Sequence, residues 1–237
     1  MNPLESARRH LLWIDSSARP GRSGTDPRGS HTRRLTARFV ERWQAARPQD
    51  AIVHRDVGAH PPQPVTGDWV AAAFTKPDRR DTGQRATLAE SDELAAELIA
   101  ADIIVIGAPM YNFGIPAPLK AWIDNIVRVG VTFGFDRARG EIPYWPMLPG
   151  GKQLVILSSR GDHGYDPGGR LAAINLVEAS LTVPLGYIGL DRHEGVAIEY
   201  DEFADDRLAA SIAGAEARTD ALAARLAAAI SPPARAA

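Results

Sequence analysis

The sequence contains no cysteine. Disulfide scaffolding, thiolate zinc sites, cysteine-ligated iron–sulfur clusters and every thiol nucleophile or dithiol redox mechanism are therefore excluded. If a chain of this composition moves electrons, it must borrow a cofactor to do so. Long apolar runs are missing too, and no stretch approaches the ~20 residues that span a bilayer. Behind Arg8 and Arg9 the apolar segment is only Leu11 to Ile14, too short for a secretory signal, so a cytoplasmic protein with no membrane partner is expected. Lysine is scarce, with Lys76, Lys120 and Lys152 the only three beside 24 arginines. In so alanine-rich a chain that ratio reads as coding bias and implies no function.

What is present is ordinary for a globular protein: 237 residues, 45% hydrophobic and 24% charged. An α/β chain of about this length often folds as one domain. The net charge of −2 argues against a general nucleic-acid binder, but it is unevenly placed. Residues 1–60 hold eleven arginines against six acidic residues, a local balance of +5, and the remainder carries −7. A basic first quarter suits a nucleic-acid arm or one anionic ligand; the acidic remainder favours the ligand.

Short, almost continuously apolar runs alternate with amphipathic stretches. Strands are predicted at His10–Asp15, Ala51–Asp56, Asp102–Gly107, Lys152–Ser158 and, partly interrupted, Tyr187–Tyr200. Helices are predicted from Ser30 or Thr32 to Arg47, at Asp68–Phe74, Thr87–Ala101, Pro116–Val129, Arg170–Leu185 and Glu202–Ile230. This is the pattern of a parallel sheet covered on both faces. Five strands are too few for an eight-fold barrel, so one open α/β sheet is expected over residues 10–230, with tails at 1–9 and 231–237. In such a sheet ligands bind beyond the carboxyl ends of the strands.

Three loops there carry candidate chemistry. After the first strand, Ser17 and a long Arg-bearing segment lead to Ser30-His31-Thr32-Arg33 at a helix start. Unpaired backbone N–H groups and hydroxyls at such a start favour a phosphate, although Ser30 or Thr32 as a plain N-cap explains the hydroxyls equally well. Neither G-x-G-x-x-G nor G-K-[ST] is present, so a mononucleotide phosphate fits better than a pyrophosphate. After the third strand, Met110-Tyr111-Asn112-Phe113 lies between Pro109 and Pro116 and suits a flat ring; the bland alternative is a packed turn. After the fourth, Ser159-Arg160-Gly161-Asp162-His163-Gly164 offers close backbone approach through its glycines, and His163 reads more readily as an exposed loop residue than as a general acid. No metal-ligating cluster and no hydrolase motif stands out.

At these loops the sequence resembles the FMN-dependent NADH:quinone oxidoreductase/azoreductase family. The residues that carry the resemblance are Ala108 to Phe113 (APMYNF), Leu119-Lys120, Arg128 to Phe133 (RVGVTF), Ser158 to Gly161 and Leu185 to Gly189. The resemblance spans roughly residues 10–200. It implies a flavodoxin-like α/β fold with five parallel strands in the order 2-1-3-4-5 and helices on both faces. It further implies one FMN per subunit, NADH or NADPH as electron donor, and quinones or azo compounds as acceptors. The expected assembly is a homodimer with active sites at the interface. Carried over position by position, Ser17, Ser30, His31, Thr32 and Arg33 fall at the phosphate loop. Met110, Tyr111, Asn112 and Phe113 fall at the flavin-ring loop, and Ser159, Arg160, Gly161 and Asp162 at the fourth-strand loop. Phe113, Phe133 and Trp145 are candidates for the walls of the substrate cleft.

Three departures stand out. The phosphate loop is lengthened around Arg22 to Arg28. Asp162 replaces a glycine common in the family. Residues 134–149, with Tyr144, Trp145 and Met147, are unlike the family pattern. No side-chain nucleophile is required, because the flavin carries the chemistry, and a ping-pong reaction through a single site is expected. The alternatives in other classes are a non-enzymatic FMN electron carrier, a phosphodiesterase acting on an acyl carrier protein, and nucleic-acid binding through the Arg-rich segment.

Overall fold

The structure is a computed structural model that describes residues 8–229. The expected tails fall largely at 1–7 and 230–237, outside the described residues. Five strands, β1 (His10–Asp15), β2 (Ala51–Asp56), β3 (Ile103–Pro109), β6 (Gln153–Ser159) and β7 (Arg192–Ile198), form one parallel sheet ordered β2-β1-β3-β6-β7. With β4 (Phe133–Phe135) and β5 (Tyr144–Pro146) set aside as a separate hairpin, that order is 2-1-3-4-5.

The apolar strands divide their side chains between two layers, as the period of two requires. Leu12, Ile14, Ile104, Ile106, Leu154 and Ile156 point to one face. There they meet Leu94 and Leu98 of α3 (Thr82–Ala100), Trp122 and Ile126 of α4 (Ala117–Ile126) and Leu181 and Leu185 of α5 (Val177–Tyr187). Leu11, Ile103, Val105, Val155 and Leu157 point the other way. They pack on Leu35, Phe39 and Trp43 of α1 (His31–Ala46) and on Leu222 and Leu226 of α6 (Asp206–Ala229). Burial on both faces explains why these strands carry hardly any polar alternation. Among the described residues no helix is long and apolar enough to cross a membrane.

Four element boundaries differ by four or more residues from those the sequence predicts. Helix α3 starts five residues earlier than Thr87, because Asp81 accepts from Gln84 N and Gln84 Oε1 accepts from Asp81 N, a complete capping box. Helix α5 starts seven residues later than Arg170. Residues 164–176 instead form a loop in which Leu176 N donates to Phe113 O and Asn175 Oδ1 accepts from Val177 N. The last strand is confined to β7, and α6 begins at Asp206 behind a turn at 200–203. The hairpin β4–β5 lies in the segment that departs from the family pattern, where no strand was predicted. It forms because Gly134 lies opposite Trp145, and the indole covers the glycine so closely that a Cβ there would sit 2.0 Å from Trp145 Cε2. The remaining helix, α2 (Gly67–Phe74), lies where the pattern places it.

Candidate functional site

Parallel pairing brings the carboxyl ends of β1, β3, β6 and β7 to one edge. Two cavities open there. The first, of about 190 Å³, is lined by Ser17, Arg19, Ser30, His31, Met110, Tyr111, Ser159, Arg160, Gly161, Asp201 and Glu202, with Pro109. The second, of about 440 Å³, is lined by Met110, Asn112, Phe113, Gly161, Asp162, Tyr165, Leu171, Ile174 and Glu202. Met110, Gly161 and Glu202 line both, so the two form one continuous cleft, with Ser17, Ser30 and His31 at the α1 end and Asn112, Phe113 and Tyr165 at the other.

The polar end is built by the long loop between β1 and α1, which folds back on itself. Ser23 N donates to Ser30 O and Ser30 N to Gly21 O. Gly29 permits this closure, since a Cβ there would lie 2.2 Å from the Arg22 carbonyl carbon. Ser30 is the N-cap of α1, accepting from Arg33 N, and its hydroxyl also pairs with Thr32 Oγ1 at 2.9 Å. Capping and cavity lining therefore coincide in one residue. His31 Nε2 meets Asp201 Oδ1 at 3.1 Å and its Nδ1 meets Ser23 Oγ at 2.7 Å. The hydrogen bond to His31, working against burial and helped by Arg19, holds the Asp201 carboxyl below its usual range.

Thr32 and Arg33 belong to the same helix start but do not line the cleft. Thr32 is fully buried. Arg33 forms a fork on Asp56, at 2.6 and 2.8 Å, and donates to the carbonyls of Ser17 and Arg19 at 2.9 Å each. Asp15, 2% exposed at the end of β1, lies 3.6 Å from the same guanidinium and accepts from Thr36. Arg33 is thus a strut beneath the loop. Arg160 lines the cavity with a buried guanidinium, but that group is engaged by Asp166, Glu178 and Glu199.

The aromatic end rests on a tight turn. Tyr111 and Gly114 exchange both backbone hydrogen bonds, and Asn112 and Phe113 between them have φ of +48° and +70°. Positive φ at both central positions is the geometry of a type I′ turn, costly for phenylalanine. It directs Asn112 and Phe113 into the second cavity. The Tyr111 hydroxyl accepts from Ala18 N, tying this turn to the first loop. Opposite, the Asp162 carboxyl is pushed down to about 2, first by Arg170 and then by the His163 N–H. His163 stacks on Tyr200 at 4.6 Å, outside both cavities.

Phe133 and Trp145 line neither cavity. Phe133 packs on the core and edge-on to Tyr187, and Trp145 covers Gly134 and lies under the guanidinium of Arg139. Sequence reasoning placed Arg19 among the loop arginines without singling it out, and it missed Asp201 and Glu202. The last two follow β7, and only knowledge that β7 ends beside β6 would have placed them at the site. Among the described residues no group of three or more metal-ligating side chains comes together.

The model of the flavodoxin-like fold family matches residues 9–223. The chain is 43% identical over 216 residues to an FMN-dependent NADH:quinone oxidoreductase 2 of Idiomarina loihiensis, covering 91% of this chain and 90% of that one. It is 44% identical over 220 residues to the FMN-dependent NADH:quinone oxidoreductase of Opitutus terrae, covering 92% and 99%. The crystal structure of an azoreductase from Bacillus anthracis str. Sterne matches with a TM-score of 0.78 over 92% of this chain and 99% of that one. At 22% identity that likeness speaks for the fold. The continuous cleft at the carboxyl edge of the sheet, with these sequence relatives, places the chain in the FMN-dependent NADH:quinone oxidoreductase family, a family of oxidoreductases with the flavodoxin-like fold.

Proposed function

We propose that the chain binds FMN along the two joined cavities and reduces quinones or azo compounds with NADH or NADPH, in two-electron steps that alternate donor and acceptor. The observation that carries this reading is the placement of residues along the cleft, the hydroxyls of Ser17 and Ser30 with a helix start at one end and Asn112 and Phe113 at the other. These residues fit a phosphorylated flavin. Ser17, Ser30 and the first N–H groups of α1 offer donors to a phosphate, while Met110, Asn112, Phe113, Gly161 and Asp162 surround the volume where a flat ring fits. FMN, when bound, supplies the hydride chemistry. The chain's own tasks are to hold the ring edge by amide and backbone groups, to wall off water with Phe113, and to leave one face open to donor and acceptor in turn.

A homodimer is part of this reading, and the hairpin supports it. Phe135, Tyr144 and Tyr187 form a continuous aromatic cluster that joins β4–β5 to α5. Beside it on the hairpin and α5, Ile142 is 73% and Val183 70% exposed. Apolar patches of this kind mark interfaces. A second copy seated there brings Phe133 and Trp145 into its vicinity, and light scattering should give twice the chain mass.

The decisive measurement is the absorption spectrum of the purified protein. A yellow protein that bleaches with NADH and recovers with a quinone supports the reading, and initial rates should then give parallel reciprocal lines. A colourless protein that takes up no FMN overturns it. Intersecting lines remove the alternating scheme, and slow NADH oxidation despite bound FMN points to an electron carrier instead.

A further inference from the structure

The basic first quarter of the sequence resolves almost entirely into internal ion pairs. Arg22 pairs with Glu41, Arg34 with Glu216, Arg38 with Asp220, and Arg33 with Asp56. Arg28 lies on the loop but lines neither cavity of the cleft. Of the arginines that line the cleft, Arg160 is held by three carboxylates. Arg19 is different. Its backbone is fixed at both ends, its N–H donating to Ser17 Oγ at 3.2 Å and its carbonyl accepting from Arg33 Nε at 2.9 Å. Its side chain is 56% exposed and leans over the polar cavity, with Nη1 3.7 Å from Asp201 Oδ2. At that distance the pair is electrostatic and consumes no hydrogen-bond donor, so the guanidinium keeps its donors for a ligand.

We propose that Arg19, steadied by Asp201 and by the strut Arg33, is the residue that makes this cleft selective for a phosphomonoester flavin over the same flavin without its phosphate. The inference rests on the flavin reading and adds the charged determinant to it. The hydroxyls of Ser17 and Ser30 and the start of α1 offer dipoles but no full charge. Arg160 is neutralised, and His31 has Ser23 on one ring nitrogen and Asp201 on the other. Asp201 and Glu202 both place carboxylates in the wall. A phosphate dianion entering here meets Arg19 as the cation in the cavity lining whose guanidinium donors are not taken up by hydrogen bonds to a carboxylate. A guanidinium also matches phosphate oxygens with two parallel donors, which an ammonium cannot do.

The test compares FMN with riboflavin, titrated by flavin-fluorescence quenching into the full chain and its R19Q and R19K variants. R19Q should weaken FMN by about tenfold or more, the usual loss of a charge-assisted contact. Riboflavin affinity should stay within about twofold of wild type, since that ligand has nothing for Arg19 to meet. R19K should recover part of the FMN loss. If FMN affinity is unchanged in R19Q, or if both flavins weaken together, Arg19 shapes the loop and does not select the phosphate. A wild-type protein that takes up neither flavin would overturn the flavin reading itself, and this proposal with it.

Discussion

Arg33 offers the sharpest separation between holding the loop and touching the ligand. In Arg33→Ala the Asp56 carboxylate loses both of its guanidinium bonds, and the buried Asp15 loses the cation 3.6 Å away. The carbonyls of Ser17 and Arg19 lose their donors as well. Breaking a buried pair by removing one partner costs about 3–5 kcal/mol. Asp56 keeps 21% exposure, so water recovers part of that, and about 3 kcal/mol is expected. For a domain of this size each kcal/mol moves the melting temperature by about 2–4 °C, so the variant should melt roughly 6–12 °C lower. The measurement is thermal or urea unfolding of protein freed of flavin, where a purely ligand-binding arginine would leave no trace. The acid limb gives a second signature. Burial pushes the Asp56 carboxyl up, but the Arg33 bond, with Ala59 N–H and His54, outweighs it and holds the group low. A group depressed in the folded state stabilises above its unfolded value, about 4, and that contribution is lost as pH falls through the folded value. Wild-type stability should therefore fall below about pH 4, more steeply than in the variant. Equal melting temperatures and parallel acid limbs would refute the strut.

Two further outcomes follow from backbone geometry. Gly134→Ala places a methyl 2.0 Å from the Trp145 ring; the hairpin should separate at a cost of about 1–3 kcal/mol. Amide exchange should accelerate over 133–146 and stay unchanged in β1, β3 and β6, and unaltered exchange in the hairpin would refute the packing argument. Phe113→Asn substitutes a residue that tolerates φ of +70°. Relief of strain and loss of aromatic burial should nearly cancel, leaving stability within about 1 kcal/mol. Acceptor kcat/KM should meanwhile fall by about tenfold, as roughly 1.4 kcal/mol of ring contact is removed. A large loss of stability with unchanged kinetics would mean that Phe113 is a packing residue.

The fold was largely legible because its strands are buried on both faces. Leu11 to Ile14, Ile103 to Ile106 and Leu154 to Leu157 are apolar at every position because alternate residues serve different layers. What escaped notice depends on contacts distant in sequence or on short-range chemistry overlooked. Asp81 and Gln84 form a cap whose signature stands openly in the sequence, whereas the start of α5 depends on Phe113, some 60 residues away, accepting from Leu176. The hairpin is held by Trp145 filling the space over a glycine. Its aromatics favour strands, but each strand is only three residues long and one holds a glycine, the other a proline, too little pattern to read as a strand alone.

The site shows why residue type predicts position better than role. A cluster of arginines after the first strand does point to the edge where an anion would bind, yet Arg22, Arg33 and Arg34 each meet an acidic partner that sequence does not place beside them. An arginine in a basic stretch therefore has two fates. Where a carboxylate is within reach in the fold, it becomes scaffolding, as Arg33 does beneath the loop and Arg160 beneath the fourth-strand loop. Where the backbone is anchored and the nearest carboxylate stays beyond hydrogen-bond distance, as at Arg19, the charge remains available. The distinction depends on β2, β7 and α6 delivering Asp56, Asp201 and Glu216 to the same end of the sheet as α1. Charge counting along the chain can point to a loop suited to an anion, but only the topology separates the arginines that support it from the one whose donors stay free to meet a phosphate.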